Sequence, residues 1–308
     1  MLNFFLYAGV SLIWGSTWLA IKLQLTQVPP ILSVAYRFCL AALILQAYCR
    51  LTRKQLKFSL RDHRFMILQG VTLFGLGHCC SYLATEYMTS GLVAVAYSTI
   101  LMWNIINLRI FMRQPVAWRA LCGGILGLIG ICIVFWQDLA TFSATRGIIG
   151  LLIAFAGAYL VSVGNVVGSR NIKKGLPVTQ VNAIGMGYGG LLILFIYFVM
   201  GGRLTMDWSF GYLGPMLYLS IFGTIVAFGF YMLLINRIGA EYAAYVMLIG
   251  PIIALILSTM FEGYRWSVSA LVGVALVLVG NLIILTPQSA YRMILGHFKD
   301  HADHVKSG

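Results

Sequence analysis

Residues 89–135 and 239–285 of this 308-residue chain echo one another. Each stretch is an apolar run, a short joint and a second apolar run. Ala120 falls on Ala270, Gly123 on Gly273 and Gly130 on Gly280. The later copy has Pro251 in its first run and Phe261-Glu262-Gly263-Tyr264-Arg265 as its joint. A unit that recurs at the end of each half limits the fold to one built of two like halves.

Each run is long enough to cross a bilayer, which takes roughly 20 apolar residues. Ten such spans are legible, at about 3–22, 31–50, 65–84, 91–112, 117–136, 147–168, 179–200, 212–235, 240–261 and 266–286. The chain is 60% hydrophobic and 9% charged, where a soluble domain carries about a quarter charged residues. A soluble fold is excluded, and an all-α integral membrane protein of ten helices is expected. Glycines such as Gly185, Gly187, Gly189 and Gly190 stay inside spans, where they let helices approach closely. The first run has no basic region before it and no small-residue cleavage site after it, so it reads as a retained span and not a signal peptide. The six cysteines (39, 49, 79, 80, 122 and 132) lie in or at the ends of apolar runs and read as small buried hydrophobes.

The net charge of +13 is topogenic in such a chain. Of 21 Lys and Arg residues, Arg37 lies inside span two, and Lys22, Arg146, Arg203 and Arg265 fall on one side. The remaining sixteen fall on the other, which is therefore expected to be cytoplasmic and to hold both termini. With no basic helix or aromatic platform, nucleic acid is not an expected partner; the lipid bilayer is. Five spans per half is an odd number, so the second half enters from the opposite face. The expected architecture is two inverted-topology five-helix repeats, residues 1–138 and 144–286, followed by a cytoplasmic tail, 287–308. Repeats of this kind place a substrate site near the midplane where the halves meet, and a monomer suffices for it.

Trp14-Gly15-Ser16-Thr17 before Ala20-Ile21-Lys22, Pro30 with Arg37, and Gly250-Pro251-Ile252-Ile253-Ala254 with Glu262 and Gly273…Gly280 together resemble, in order, the motifs of the EamA-type drug/metabolite transporters. The resemblance spans nearly the whole chain. It implies a small-metabolite carrier, usually a bacterial exporter in the cytoplasmic membrane, working by alternating access. The first half departs from the pattern: Leu101 stands opposite Pro251 and Met112 opposite Glu262. Span four is accordingly expected to be straighter than span nine.

Spans one, three, four, six and eight line the cavity in the resembled family. Candidate lining residues are Trp14, Thr17, His78, Tyr82, Tyr97, Asn104, Tyr159, Asn165, Phe228 and Tyr231. Each has a plainer reading as packing or interhelical hydrogen bonding. His78 is the one histidine well inside a span, either bonded to a neighbouring carbonyl or facing the pore as a polar or proton-coupling group. A metal site with Cys79 and Cys80 is not expected, because adjacent helical residues point about 100° apart. Asn104, with Asn107 on the same face, is equally a helix glue or a substrate contact. Arg37 is expected to snorkel to the outer headgroups, or else to meet an anion or carboxylate in an outward vestibule. Pro251 is the candidate hinge or gate. Gly123, Gly127, Gly130, Gly273 and Gly280 are the candidate helix-packing stripe. In the tail, His297, His301 and His304 share a helical face that could hold zinc, though a solvated tail is the favoured reading.

None of the eight acids (Asp62, Glu86, Asp138, Asp207, Glu241, Glu262, Asp300, Asp303) lies at the centre of a span. A carrier of organic cations would be expected to offer a deep carboxylate. The expected cargo is a neutral, zwitterionic or aromatic metabolite, amino acids first. An exchanger or importer of larger metabolites, such as S-adenosylmethionine or nucleotide sugars, stays open as a second transporter reading. A non-transporting receptor or structural protein is the alternative of another class. No hydrolase, kinase-like or zinc-protease motif is present, so neither enzyme activity nor a cofactor is expected.

Overall fold

The computed structural model describes residues 1–140, 144–238 and 243–286. They form ten helices: α1 Leu2–Leu23, α2 Pro30–Leu51, α3 Leu60–Tyr87, α4 Ser90–Met112, α5 Trp118–Ala140, α6 Ala144–Lys173, α7 Val178–Val199, α8 Phe210–Ile238, α9 Val246–Phe261 and α10 Val268–Leu285. Nine are long and apolar enough to cross a membrane; α9, at 16 residues, is the shorter one. The protein is a multi-pass, all-α membrane protein. Its apolar runs become helices because lipid leaves backbone groups no partner outside the helix itself.

Helix neighbours come in matched pairs. α2 packs on α7, α4 on α9 and α5 on α10, each helix against its counterpart in the other half. Further contacts swap halves: α1–α9 answers α6–α4, α1–α8 answers α6–α3, and α8–α2 answers α3–α7. The α5–α10 crossing is antiparallel and close. A Cβ added to Gly130 would stand 2.6 Å from the Gly273 carbonyl oxygen, and one on Gly273 would stand 2.6 Å from that of Gly130. Gly123 and Gly280 meet in the same reciprocal way. Backbone meets backbone with no side chain between, the small-residue packing that holds helices together in lipid. Gly127 differs from the other four: its backbone lies against Gly280, but its own Cβ direction opens on space.

Two helices carry a feature that hydrophobic patterning does not reveal. α3 runs as π-helix over Gly70–Leu76, and α8 over Tyr218–Val226. Phe74-Gly75 in one corresponds to Phe222-Gly223 in the other. π-turns bond from i to i+5 and occur mostly at functional positions. Here a side chain meets a carbonyl five residues back in each case: His78 Nδ1 lies 2.7 Å from Leu73 O, and Thr224 Oγ1 donates to Leu219 O at 2.8 Å.

The expected contrast between spans four and nine is not observed. α4 lacks the proline, yet it is interrupted by a turn at Ser98–Thr99, where both hydroxyls bond back to carbonyls three residues earlier. Serine and threonine compete with the helical ladder in this way. A turn at Ala244–Tyr245 precedes α9, and Pro251 lies buried within that helix.

Glu262 joins these two helices. Its carboxylate accepts the Ser90 backbone N–H at 2.8 Å and the Ser90 hydroxyl, capping the first turn of α4 from the end of α9. A carboxylate at a helix N-terminus satisfies an orphan donor and the dipole together. Glu262→Ala is expected to cost about 1–2 kcal/mol, read as a lower melting temperature in detergent. An unchanged melting temperature would count against the clasp.

Candidate functional site

The candidate residues gather into three groups. The first centres on Gly223, in the π-helical part of α8. Trp14 of α1 donates its indole N–H to the Gly223 carbonyl at 3.3 Å. Its ring lies 5.0 Å from Tyr231 and 5.5 Å from Phe228, the latter edge-on. Thr17, one turn on from Trp14, bonds the Trp14 carbonyl at 2.6 Å and turns its methyl to Gly223. The Arg37 guanidinium reaches the same residue from α2. Gly223 is thus where α1, α2 and α8 converge, and a side chain there would strike the Thr17 methyl. Neither Gly223 nor Thr224 stands out in the sequence; the signal that could have found them is the Phe-Gly echo between α3 and α8.

Arg37 corrects an expectation. Its own carbonyl accepts from Ser220 at 3.2 Å, which fixes its level against α8. Its Nη2 donates to Thr224, one turn further along α8 and away from the Phe210 end, at 3.4 Å. The side chain therefore points into the bundle and is 4% exposed. Snorkelling is replaced by burial, with the guanidinium 5.0 Å from the Phe38 ring centre.

The second group lies on α3 and α4. His78 packs edge-on to Phe38 at 4.7 Å, beside Arg37, and holds the Leu73 carbonyl. Tyr82 is fully buried and donates to Gln24 Oε1 at 2.7 Å. Tyr97 donates to the Gly77 carbonyl at 2.7 Å, and its ring meets Trp18. The Tyr97 hydroxyl occupies the space that a side chain at Gly157 would need. Phe38, against both His78 and Arg37, ties this group to the first.

The third group lies apart, between α4 and α6. Asn165 donates to Asn104 Oδ1 at 3.4 Å, and buried Asn107 donates to Ser162 at 2.9 Å. Tyr159 meets Trp103 edge-on but is 39% exposed, so it is less enclosed than a cavity wall. A cavity of about 190 Å³ lies among Ile105, Leu108, Pro115 and Ile284, and none of the candidate residues lines it.

Polar clusters flank these groups toward either end of the bundle. Toward the end holding the amino terminus, Asn171 donates to Gln69, which donates to Asn182, at 2.9 and 3.1 Å, and Arg170 donates to Asn171. Toward the other end, Ser33 and Tyr212 share a hydrogen bond, and Thr26 donates to Asp207. Asp207 lies in the loop before α8; hydrogen bonds from Ser209 and Thr26 hold its carboxyl below the usual carboxylate range. Among the described residues no cluster of His, Cys, Asp and Glu could hold a metal ion. The tail histidines and Glu241 lie outside the described residues.

Comparison with known proteins agrees with this architecture. A solved crystal structure superimposes with a TM-score of 0.65 at 18% identity, covering 91% of this chain and 95% of that one, and so shares its fold. The inner membrane transporter YedA of Escherichia coli K12, named as uncharacterized, is 26% identical over 277 residues, 87% of each chain. An uncharacterized transporter of Buchnera aphidicola is 26% identical over 81% of this chain and 82% of its own. Protein PagO of Salmonella typhimurium is 23% identical over 92% and 93%. Residues 1–136 and 148–286 each match one family, one match on either side of the chain's middle. Ten helices with mirrored contacts and a match in each half have one reading: the chain belongs to the EamA-like transporter family.

Proposed function

We propose that this membrane transporter is a secondary carrier of a small neutral, zwitterionic or aromatic metabolite, amino acids first, working by alternating access and exporting its cargo across a bacterial cytoplasmic membrane. Its two units are residues 1–138 and 144–286, with both termini and the tail 287–308 in the cytoplasm. The observation that carries this reading is the group around Gly223, where rings from both halves, Trp14 with Phe228 and Tyr231, meet next to a buried cation. The mirrored helix contacts support alternating access, since two like halves can exchange conformations about a shared site.

Purified protein in liposomes is expected to release radiolabelled L-phenylalanine into empty buffer. A receptor would bind without flux, and an obligate exchanger would need substrate on both sides. Asn104→Ala and Tyr231→Phe should each lower flux roughly 2- to 10-fold, the value of one hydrogen bond of about 0.5–1.5 kcal/mol, with expression intact. Normal flux in both variants sinks the cavity assignment. Robust ethidium efflux would overturn the exclusion of cationic drugs.

A further inference from the structure

Arg37 is a buried cation with too few acceptors. A guanidinium taken from water costs several kcal/mol unless its charge and its N–H groups are satisfied. Here the Nη2–Thr224 bond, at 3.4 Å, is long, and Nε and Nη1 have no acceptor. No carboxylate pairs with Arg37 among the described residues. The shortage extends to its neighbours. Tyr82 also stands within hydrogen-bonding reach of Arg37, but it gives its own hydroxyl proton to Gln24, and the Gln24 amide nitrogen is itself buried without an acceptor. The cluster is rich in donors, poor in acceptors and closed to solvent.

We propose that Arg37 receives the carboxylate of the transported solute, so that the cargo is a monocarboxylate with an apolar or aromatic side group. The inference rests on the transport reading above and narrows it. A carboxylate supplies the two acceptor oxygens that the planar guanidinium lacks. Nη2 carries two N–H groups, one on each paired edge of the guanidinium, so it can meet a carboxylate through one while the other stays on Thr224. Arg37 belongs to the first half and Thr224 to the second. A carboxylate held there sits against the contact that joins α2 to α8, at the π-helical turn where Trp14 is also anchored. An organic acid is favoured over an inorganic anion because the Trp14 indole reaches the same Gly223, with the Phe228 and Tyr231 rings against it.

Thermal shifts of the purified full-length protein test this with three probes. L-phenylalanine and 3-phenylpropanoate keep the carboxylate; L-phenylalaninamide lacks it. Both acids should raise the melting temperature, and the amide should not. Arg37→Gln should weaken the acids at least tenfold and Arg37→Lys less. The wild-type probe series stands even if an Arg37 variant fails to fold. An equal response to the amide, or an undiminished response in folded Arg37→Gln, overturns the proposal. An equal shift with sodium phosphate alone gives the site to inorganic anions and overturns it too. If neither acid shifts the wild type while liposomes still release a neutral metabolite, the carboxylate site falls and the transport reading stands.

Discussion

Alanine at Gly130 or Gly280 is expected to force α5 away from α10, whereas alanine at Gly127 is expected to cause no loss. At Gly130 the added carbon would lie 2.6 Å from the Gly273 carbonyl oxygen and 2.8 Å from the Val277 nitrogen. Both are backbone atoms of a helix and cannot swing aside as a side chain can. Overpacking of this kind costs about 1–3 kcal/mol, and more where two helices must part along their length. At Gly127 the new methyl meets nothing within 4 Å, so only the better helix propensity of alanine is felt. Melting of the three variants in detergent, followed by size exclusion, reads the difference directly. If Gly127→Ala were as damaging as Gly130→Ala, the close crossing would not be what makes these glycines necessary.

Trp14→Ala is the second large effect expected, and it falls on transport. The indole bonds Gly223 and touches Phe228 and Tyr231, so its loss detaches α1 from the π-helical turn of α8. Edge and tilted ring contacts are worth about 0.5–1.5 kcal/mol beyond their buried area. Their loss with that of the indole hydrogen bond predicts at least a tenfold fall in flux per folded molecule. Trp14→Phe keeps a ring and gives up only the N–H bond, about 1 kcal/mol, so it should retain most of the flux. Liposome efflux normalised to monomer content separates the two variants. Equal flux in Trp14→Ala and the parent protein would remove the Gly223 group from the transport path.

How far the chain could be read from residues alone depended on what each feature demands. The spans were legible to within a few residues, except that α3, α6 and α8 run several residues longer than their apolar cores. Four of the five stripe glycines were legible because only a missing side chain permits such contact, whereas Gly127 has room for one. The π-turns were not, since one extra residue in a uniformly apolar run leaves no trace in its periodicity. The direction of Arg37 was equally hidden. Counting residues gives the depth of its Cα, but the reach of the side chain depends on Thr224, distant in sequence and supplied by the other half. The break in α4 misled because a proline was taken as the sign of an interruption, while Ser98 and Thr99 interrupt the helix through their own hydroxyls.

The α5–α10 crossing has the form of an isologous interface. Gly123 meets Gly280 and Gly130 meets Gly273, and in each pair the contact is returned in kind. That is the reciprocity found where two identical subunits meet across a two-fold axis. This one polypeptide therefore carries an internal dimer contact, made by sequences that have diverged elsewhere. Any substitution at the seam is felt by both halves at once, so neither half can change these glycines independently of the other.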